Sequence, residues 1–459
     1  MGLSLAREIA FDTFAQVMNG GKKPEDVLDE KYSQHEKRLK RLDRNFIKEI
    51  VYGSLRWHSK LFWILQHTSK RDLNKSSPEI KAALVVGVYQ IYYLDRVPDR
   101  AAVNESVEYI RKKGQANACS FVNGILRQIA RRAEYFAKPD KKTKPVEYLS
   151  LQFAHPEWLI RRWHKRFKFE RLESMLAESN LPPPTSIRIN QAKIAYSDSG
   201  ELQDRLLKEE KTHSERRPLR SSIRLKETPN LSESSIFAEG YYTIQDESSQ
   251  LIAFLVDPKD GETIVDACSG PGGKLSHIYE LAHGKTKLVS VEKDESQLQK
   301  AQDNMKRLGH ETVEWVHGDF SAWSESLDQK VDKILLDSPC TGLGVLRRHP
   351  EGKWQKDPSS IPKLVKVQET LINSAMGCLK VGGELIYSVC SFEPEEAEHH
   401  LDRLVKEFGD KIEVISPVSR LPDYFKKYVT RKNCLSVFAG NQDGMDGFSA
   451  FVVRLKDEI

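Results

Sequence analysis

From residue 4 to about residue 136, apolar side chains recur at three- and four-residue intervals. No alternating run there is long enough for a strand, so this third of the chain is predicted to be all helix. The ends of individual helices are legible. Ser77 followed by Pro78 and Glu79 is an N-cap with proline in the first turn, leading into an apolar run from Ile80 to Leu94, with Pro98 just beyond its end. Asp43 similarly precedes the apolar run Phe46-Ile47-Lys48-Glu49-Ile50-Val51. The stretch from Phe136 to Pro145 holds two prolines, four lysines and almost no apolar content, which predicts a solvated linker.

Residues 150–240 carry a mixed pattern: a Trp- and Arg-rich helix over Pro156–Phe169, the breaker Leu181-Pro-Pro-Pro-Thr185, then short strand-like and charged pieces. A small α+β module is expected. From about residue 242, apolar strand runs alternate with amphipathic helices, the pattern of a parallel α/β sheet. The predicted strands are Thr263–Ala267, Leu288–Glu292, Val313–His317, Lys333–Asp337 and Glu384–Val389. The expected organisation is therefore multidomain: an all-α domain over 1–140, an α+β module over 150–240 that binds RNA or links, and a Rossmann-like α/β domain over 241–459. No internal repeat is evident.

Charge adds a gradient to this division. Residues 1–150 hold 28 Lys+Arg against 18 Asp+Glu, while the last 219 residues are net acidic. A polyanion would meet its phosphate contacts mainly in residues 1–240, and a fragment starting near 241 is expected to bind RNA poorly. Within the acidic part, Arg347, Arg348 and Lys353 are the local candidates for RNA contact. No apolar run approaches the roughly 18 residues of a membrane span, and the charged start carries no leader pattern, so a cytoplasmic protein is expected, with no membrane partner. The six cysteines show no metal-ligand spacing, so no metal is expected and any functional cysteine is a free thiol.

The candidate chemistry collects at the carboxyl ends of the predicted strands. The first strand runs into Asp266-Ala-Cys268-Ser269-Gly270-Pro271-Gly272-Gly273-Lys274, small residues where a loop turns sharply and lets a ligand approach the backbone. Glu292 ends the second strand, where a carboxylate can accept from both ribose hydroxyls of an adenosine. Asp319 follows the third, within reach of an adenine amino group, and Asp337 ends the fourth. Ligands bind along this edge in open α/β sheets. Two cysteines belong to the same edge: Cys340 in Asp337-Ser-Pro-Cys-Thr-Gly and Cys390 in Tyr387-Ser-Val-Cys-Ser-Phe. Cys119, Cys378 and Cys434 read as ordinary small apolar fillers.

These motifs resemble those of the RsmB/Nop/Sun family of RNA cytosine-C5 methyltransferases, and specifically its bacterial RsmB (Sun/Fmu) type. Residues 266–274 resemble the family's cofactor loop, residues 337–350 its proline-cysteine motif, residues 387–391 its nucleophile motif, and Asp446-Gly-Phe-Ser-Ala-Phe451 its final strand. Residues 4–135, with Tyr89-Gln-Ile-Tyr-Tyr-Leu-Asp-Arg-Val-Pro98 and Val122-Asn-Gly-Ile-Leu-Arg127, resemble the helical NusB RNA-binding domain. The resemblance covers essentially the whole chain.

It implies an S-adenosylmethionine-dependent enzyme that methylates C5 of a cytosine in small-subunit (16S) ribosomal RNA and acts as a monomer. Cys390 would be the nucleophile and Cys340 would serve in product release. Cys268–Lys274, Glu292, Asp319 and Asp337 would contact the cofactor or lie beside it. The chemistry agrees with this: C5 of cytosine is a poor nucleophile, so a thiolate must add at C6, and the adduct must lose its C5 proton before the thiolate leaves. Asp337 is placed to offset charge near N3 and N4 of the base. The chain departs from the family pattern at Ser269-Gly270 (usually two alanines), Leu275 (a common threonine), Glu292 (aspartate) and Val389 (threonine). Three other readings are a tRNA cytosine-C5 methyltransferase, a non-catalytic NusB-like RNA-binding factor and a DNA cytosine methyltransferase. The intact cysteine pair argues against the second. DNA enzymes take their nucleophile from the proline-cysteine motif, which argues against the third.

Overall fold

The computed structural model describes residues 2–131, 138–227, 231, 234–310 and 312–459. Phe136 and Ala137 of the expected linker lie outside these. The chain divides into two compact units, Met1–Leu181 with Leu346–Pro358, and Pro182–Val345 with Ser359–Ile459.

The first unit is helical. Seven helices from Leu5–Gly20 to Cys119–Arg131 bury one continuous apolar core, including Phe11, Phe14, Ile47, Val51, Val85, Tyr109 and Leu126. Ser77 caps the helix Pro78–Tyr93 through the amide of Ile80. Asp43 acts from inside its helix, Arg41–Arg56: its carboxylate accepts from the amide of Lys40, satisfying one of the donors a helix start leaves open. Two close approaches demand glycine. A Cβ on Gly53 would fall 2.0 Å from the Tyr89 ring, and one on Gly87 would fall 2.8 Å from Leu126. The helix expected over Pro156–Phe169 is two helices, Glu157–His164 and Phe169–Glu178. The stretch between them, Lys165–Lys168, is mostly charged and turns the chain between the two helices.

Within this same unit, residues 346–358 are held by buried polar groups. Lys353 Nζ donates to Asn180 Oδ1 at 2.8 Å and to the carbonyls of Ala154 and Arg56. Trp354 Nε1 donates to the Leu55 carbonyl at 2.6 Å, and Arg56 donates to the Arg347 carbonyl.

The second unit holds two sheets. Strands β1 (Thr185–Ile189), β2 (Ser214–Arg216), β3 (Ser222–Leu225) and β4 (Tyr242–Ile244) pair antiparallel in the order β2-β3-β1-β4. They follow the Pro182–Pro184 breaker and pack their apolar face on helix Ser199–Glu210 through Leu202 and Leu206. The larger sheet comprises β5 (Thr263–Asp266), β6 (Lys287–Glu292), β7 (Val313–His317), β8 (Val331–Asp337), β9 (Leu379–Val389), β10 (Ile412–Ile415), β11 (Leu435–Val437) and β12 (Phe448–Leu455). Its order is β10-β12-β9-β8-β5-β6-β7, with β11 also paired to β12. Strands β5 to β9 are parallel; β12 runs antiparallel between β9 and β10. Successive residues of each central strand enter opposite cores: Val265, Ile334 and Leu385 on one face, Ile264, Leu335 and Ile386 on the other. Burial on both faces is why these strands read as continuous apolar runs. Strand order reverses at β5, so the crevice between the carboxyl ends of β5 and β8 is the place a ligand enters such a sheet.

Candidate active site

The loop after β5 enters that crevice. Gly270 (φ +50°) and Gly272 (φ +78°) take left-handed conformations that side chains disfavour. Gly272 also lies close to the helix after β6, since a Cβ there would sit 3.1 Å from that of Ala301. The space before Gly270 is open, with nothing within 4 Å of an added Cβ. The serine at 269 finds a partner: Ser290 Oγ on β6 donates to its hydroxyl at 2.7 Å. At two other departures from the family pattern the side chain faces a core. Leu275 and Val389 are fully buried among aliphatic groups, where a hydroxyl would need a partner of its own.

Glu292 spans the gap from β6 to this loop. One carboxylate oxygen accepts from the Gly270 amide at 2.8 Å and the other from the Asp294 amide at 2.9 Å. The longer side chain thus reaches the loop backbone itself. Asp319 is exposed and uses one oxygen to cap helix Phe320–Glu325 through the amide of Ser321. Asp337 accepts from Lys274 Nζ at 2.6 Å and from Ser388 Oγ at 2.8 Å, tying the glycine loop to both cysteine-bearing strands. Asp266 is buried behind them. Burial, then the charges of Asp337 and Glu292, raise its pKa to about 8 against the lowering effect of Lys274. A glycine cradle with open space, flanked by Glu292 and Asp319, fits an adenosine-bearing cofactor.

The two thiols meet beside this cradle, with Cys340 Sγ and Cys390 Sγ 3.2 Å apart. They are linked through the backbone as well: the Gly344 amide donates to the Cys390 carbonyl, and the Gly447 amide to the Gly344 carbonyl. A Cβ on Gly344 would fall 2.1 Å from the Gly447 carbonyl oxygen, so only glycine permits this closure. The hydrogen bond with Cys390, then burial and the charges of Cys390 and Glu396, hold the Cys340 pKa well above the usual thiol range. Cys378 and Cys434 are buried filler, as expected.

Two expected RNA contacts are corrected. Lys353 is 1% exposed and Arg347 6% exposed, so neither is available at the surface. Burial and the Arg56 charge push the Lys353 pKa well below the ordinary amine range. Arg348 is partly exposed.

Sequence reasoning missed Arg188 on β1. It is fully buried and donates to the Gly273 carbonyl at 2.7 Å, to Ser276 Oγ at 2.7 Å and to Glu280 at 2.8 Å, holding the start of the helix that follows the glycine loop. Burial raises the Glu280 pKa, but Arg188 and His310 outweigh it and bring it to about 2. The signal was present as one arginine inside the otherwise strand-like Ser186-Ile-Arg-Ile-Asn190.

The sheet order, with antiparallel β12 beside β9 and a glycine loop after β5, defines a Rossmann-like methyltransferase domain. The 16S rRNA methyltransferase RsmB/F family model matches residues 253–455, the NusB family model residues 4–131, and the ferredoxin-like domain of RsmF/B-like methyltransferases residues 155–232. The chain is 32% identical over 415 residues to the probable ribosomal RNA small subunit methyltransferase B of Bacillus subtilis strain 168, covering 90% of this chain and 91% of the relative. It belongs to the RsmB/F family of 16S rRNA methyltransferases. Among solved structures, that of PH0851 superposes with a TM-score of 0.81 at 22% identity, covering 99% of this chain and 100% of the other. A methyltransferase homologue from Pyrococcus horikoshii superposes with a TM-score of 0.57 at 25% identity, covering 68% of this chain and 99% of the other. No described helix is long and apolar enough to cross a membrane.

Proposed function

We propose that this protein methylates C5 of a specific cytosine in small-subunit ribosomal RNA, using S-adenosylmethionine, through a covalent adduct between Cys390 and C6. The observation that carries this reading is the 3.2 Å approach of two thiols beside a cofactor cradle. S-adenosylmethionine, bound by residues 268–274 with Glu292 and Asp319, supplies the methyl group.

The thiol pair divides the remaining work. Cys340 keeps its proton and donates to Cys390, which stabilises the Cys390 thiolate that adds to C6. Electron density then moves to C5, which takes the methyl. Once Cys390 is a thioether, its negative charge no longer holds the proton on Cys340, and Cys340 ionises more easily. It can then remove the C5 proton as the C5–C6 double bond re-forms and Cys390 leaves as thiolate. Asp337, between Lys274 and Ser388, lies beside this chemistry and would offset charge on the base.

The substrate follows from the relatives named as ribosomal RNA small subunit methyltransferases and from the basic residues of the N-terminal part. Bisulfite sequencing of ribosomal RNA and tRNA from a strain lacking the gene tests it. One 16S cytosine should lose its methyl mark. Loss confined to tRNA would replace the substrate with the tRNA alternative.

A further inference from the structure

Cys340 sits in a loop with no regular structure, yet its proposed task is to reach one hydrogen on one carbon. What holds the loop is a buried polar pair from outside both cysteine motifs. Glu396 lies in the short turn Pro394–Glu396, six residues after Cys390, and is fully buried. One of its oxygens accepts from the Thr341 amide at 2.8 Å and the other from Thr341 Oγ1 at 2.5 Å. Both bonds fall on the residue directly after Cys340. Gln368, also fully buried, secures the residue directly before: its Nε2 donates to the Pro339 carbonyl at 2.9 Å and to Glu396 at 3.2 Å. The remaining Gln368 oxygen accepts from His400 Nε2 at 2.9 Å. Burial, then the Arg403 and His399 charges, lower the His400 pKa to about 4, so it serves here as a neutral donor. Tyr387 Oη donates to the Glu396 carbonyl, fixing the turn itself.

A fully buried carboxyl group is costly, and no ion pair offsets that cost at Glu396 among the described residues. Its position is satisfied instead by three donors, two of them on the Cys340 loop. A carboxylate is the side chain that can accept at once from the amide and the hydroxyl of a single threonine.

We propose that Glu396 is a positioning residue for Cys340: through Thr341 directly, and through Gln368 and Pro339, it fixes the loop that presents Cys340 to the base, so that its loss impairs product release more than adduct formation. The proposal rests on the release role assigned to Cys340 above.

The test uses full-length protein, in vitro transcribed 16S ribosomal RNA and S-adenosylmethionine, with covalent complex read on a denaturing gel and methyl transfer read in parallel. Glu396→Gln and Thr341→Val are compared with wild type, Cys340→Ala and Cys390→Ala. Both variants should accumulate the retarded covalent band several-fold above wild type, with single-turnover methyl transfer retained and multiple turnover reduced. Glu396→Gln combined with Cys390→Ala should show no band. If Cys340→Ala accumulates the band while Glu396→Gln and Thr341→Val do not, the positioning role is wrong and the reading of the thiols stands. If Cys340→Ala fails to accumulate it, the release role falls and the proposal with it. Should Glu396→Gln not fold, Thr341→Val decides together with Ser391→Ala, since the Thr341 hydroxyl reaches both Glu396 at 2.5 Å and Ser391 Oγ at 3.5 Å, and Ser391→Ala alone should leave the band at the wild-type level.

Discussion

In the proposed cofactor site Glu292 would join two functions in one carboxylate, because the oxygens that would receive ribose hydroxyls already brace the Gly270 and Asp294 amides. Glu292→Ala should therefore weaken S-adenosylmethionine binding by about 1–3 kcal/mol, the scale of hydrogen bonds removed from a charged group. Calorimetry on the folded variant measures this; an unchanged dissociation constant would remove Glu292 from the site. Asp266 gives a second prediction. With its folded pKa raised to about 8 and its unfolded pKa near the ordinary ~3.9, the folded state binds the extra proton between those values. Its contribution to stability therefore falls as pH rises from about 4 to about 8. Asp266→Asn should lose that decline, so the gain of the variant over wild type in thermal unfolding should be larger at pH 8 than at pH 5. An equal difference at both pH values would contradict the raised pKa. The acids at strand ends were legible in the sequence because each closes an apolar run. Glu396 was not, since an acid after Cys390-Ser-Phe-Glu-Pro reads as a solvated helix start.

Strands β5, β6, β8 and β9 announced themselves as apolar runs because both faces of the sheet are covered there, and the glycine loop and the two cysteine motifs came with them; β7, at the sheet's end, alternates and is only partly buried. Strands β10 and β11 did not. They are four and three residues long and pair with β12 at the sheet's end, so too few side chains are buried to set a period. Strand β1 was masked for a different reason: its central arginine breaks the apolar count, although it is among the most buried side chains of the protein. Arg188→Met should destabilise by about 3–5 kcal/mol, because it strands Glu280 as a buried charge. The double variant Arg188→Met, Glu280→Leu should recover much of that stability in denaturant unfolding. If the double variant were as unstable as the single, the ion pair would not be the source of the effect.

At the scale of the whole molecule, the charge gradient and the division into helical and α/β parts were readable from composition and period. The return of residues 346–358 to the first unit was not, because it depends on Lys353 and Trp354 finding partners 173 and 299 residues away along the chain. A fragment starting near 241 lacks Arg188 and should unfold, so the source of RNA affinity is better tested in the intact chain. Lys37, Arg38, Lys40 and Arg41 are exposed in the basic helical unit. Replacing Lys37, Lys40 and Arg41 with glutamate should weaken RNA binding and flatten its salt dependence by roughly one unit of slope for each phosphate that is no longer neutralised. An unchanged slope would assign phosphate binding to other basic residues. The central claim, that Cys390 forms the bond and Cys340 breaks it, is tested most directly by digesting the covalent complex trapped with Cys340→Ala and mapping the nucleotide by mass spectrometry. The nucleotide should be found on the peptide containing Cys390. A Cys390→Ala enzyme that still traps RNA, with the nucleotide on Cys340, would reverse the two roles and contradict the account.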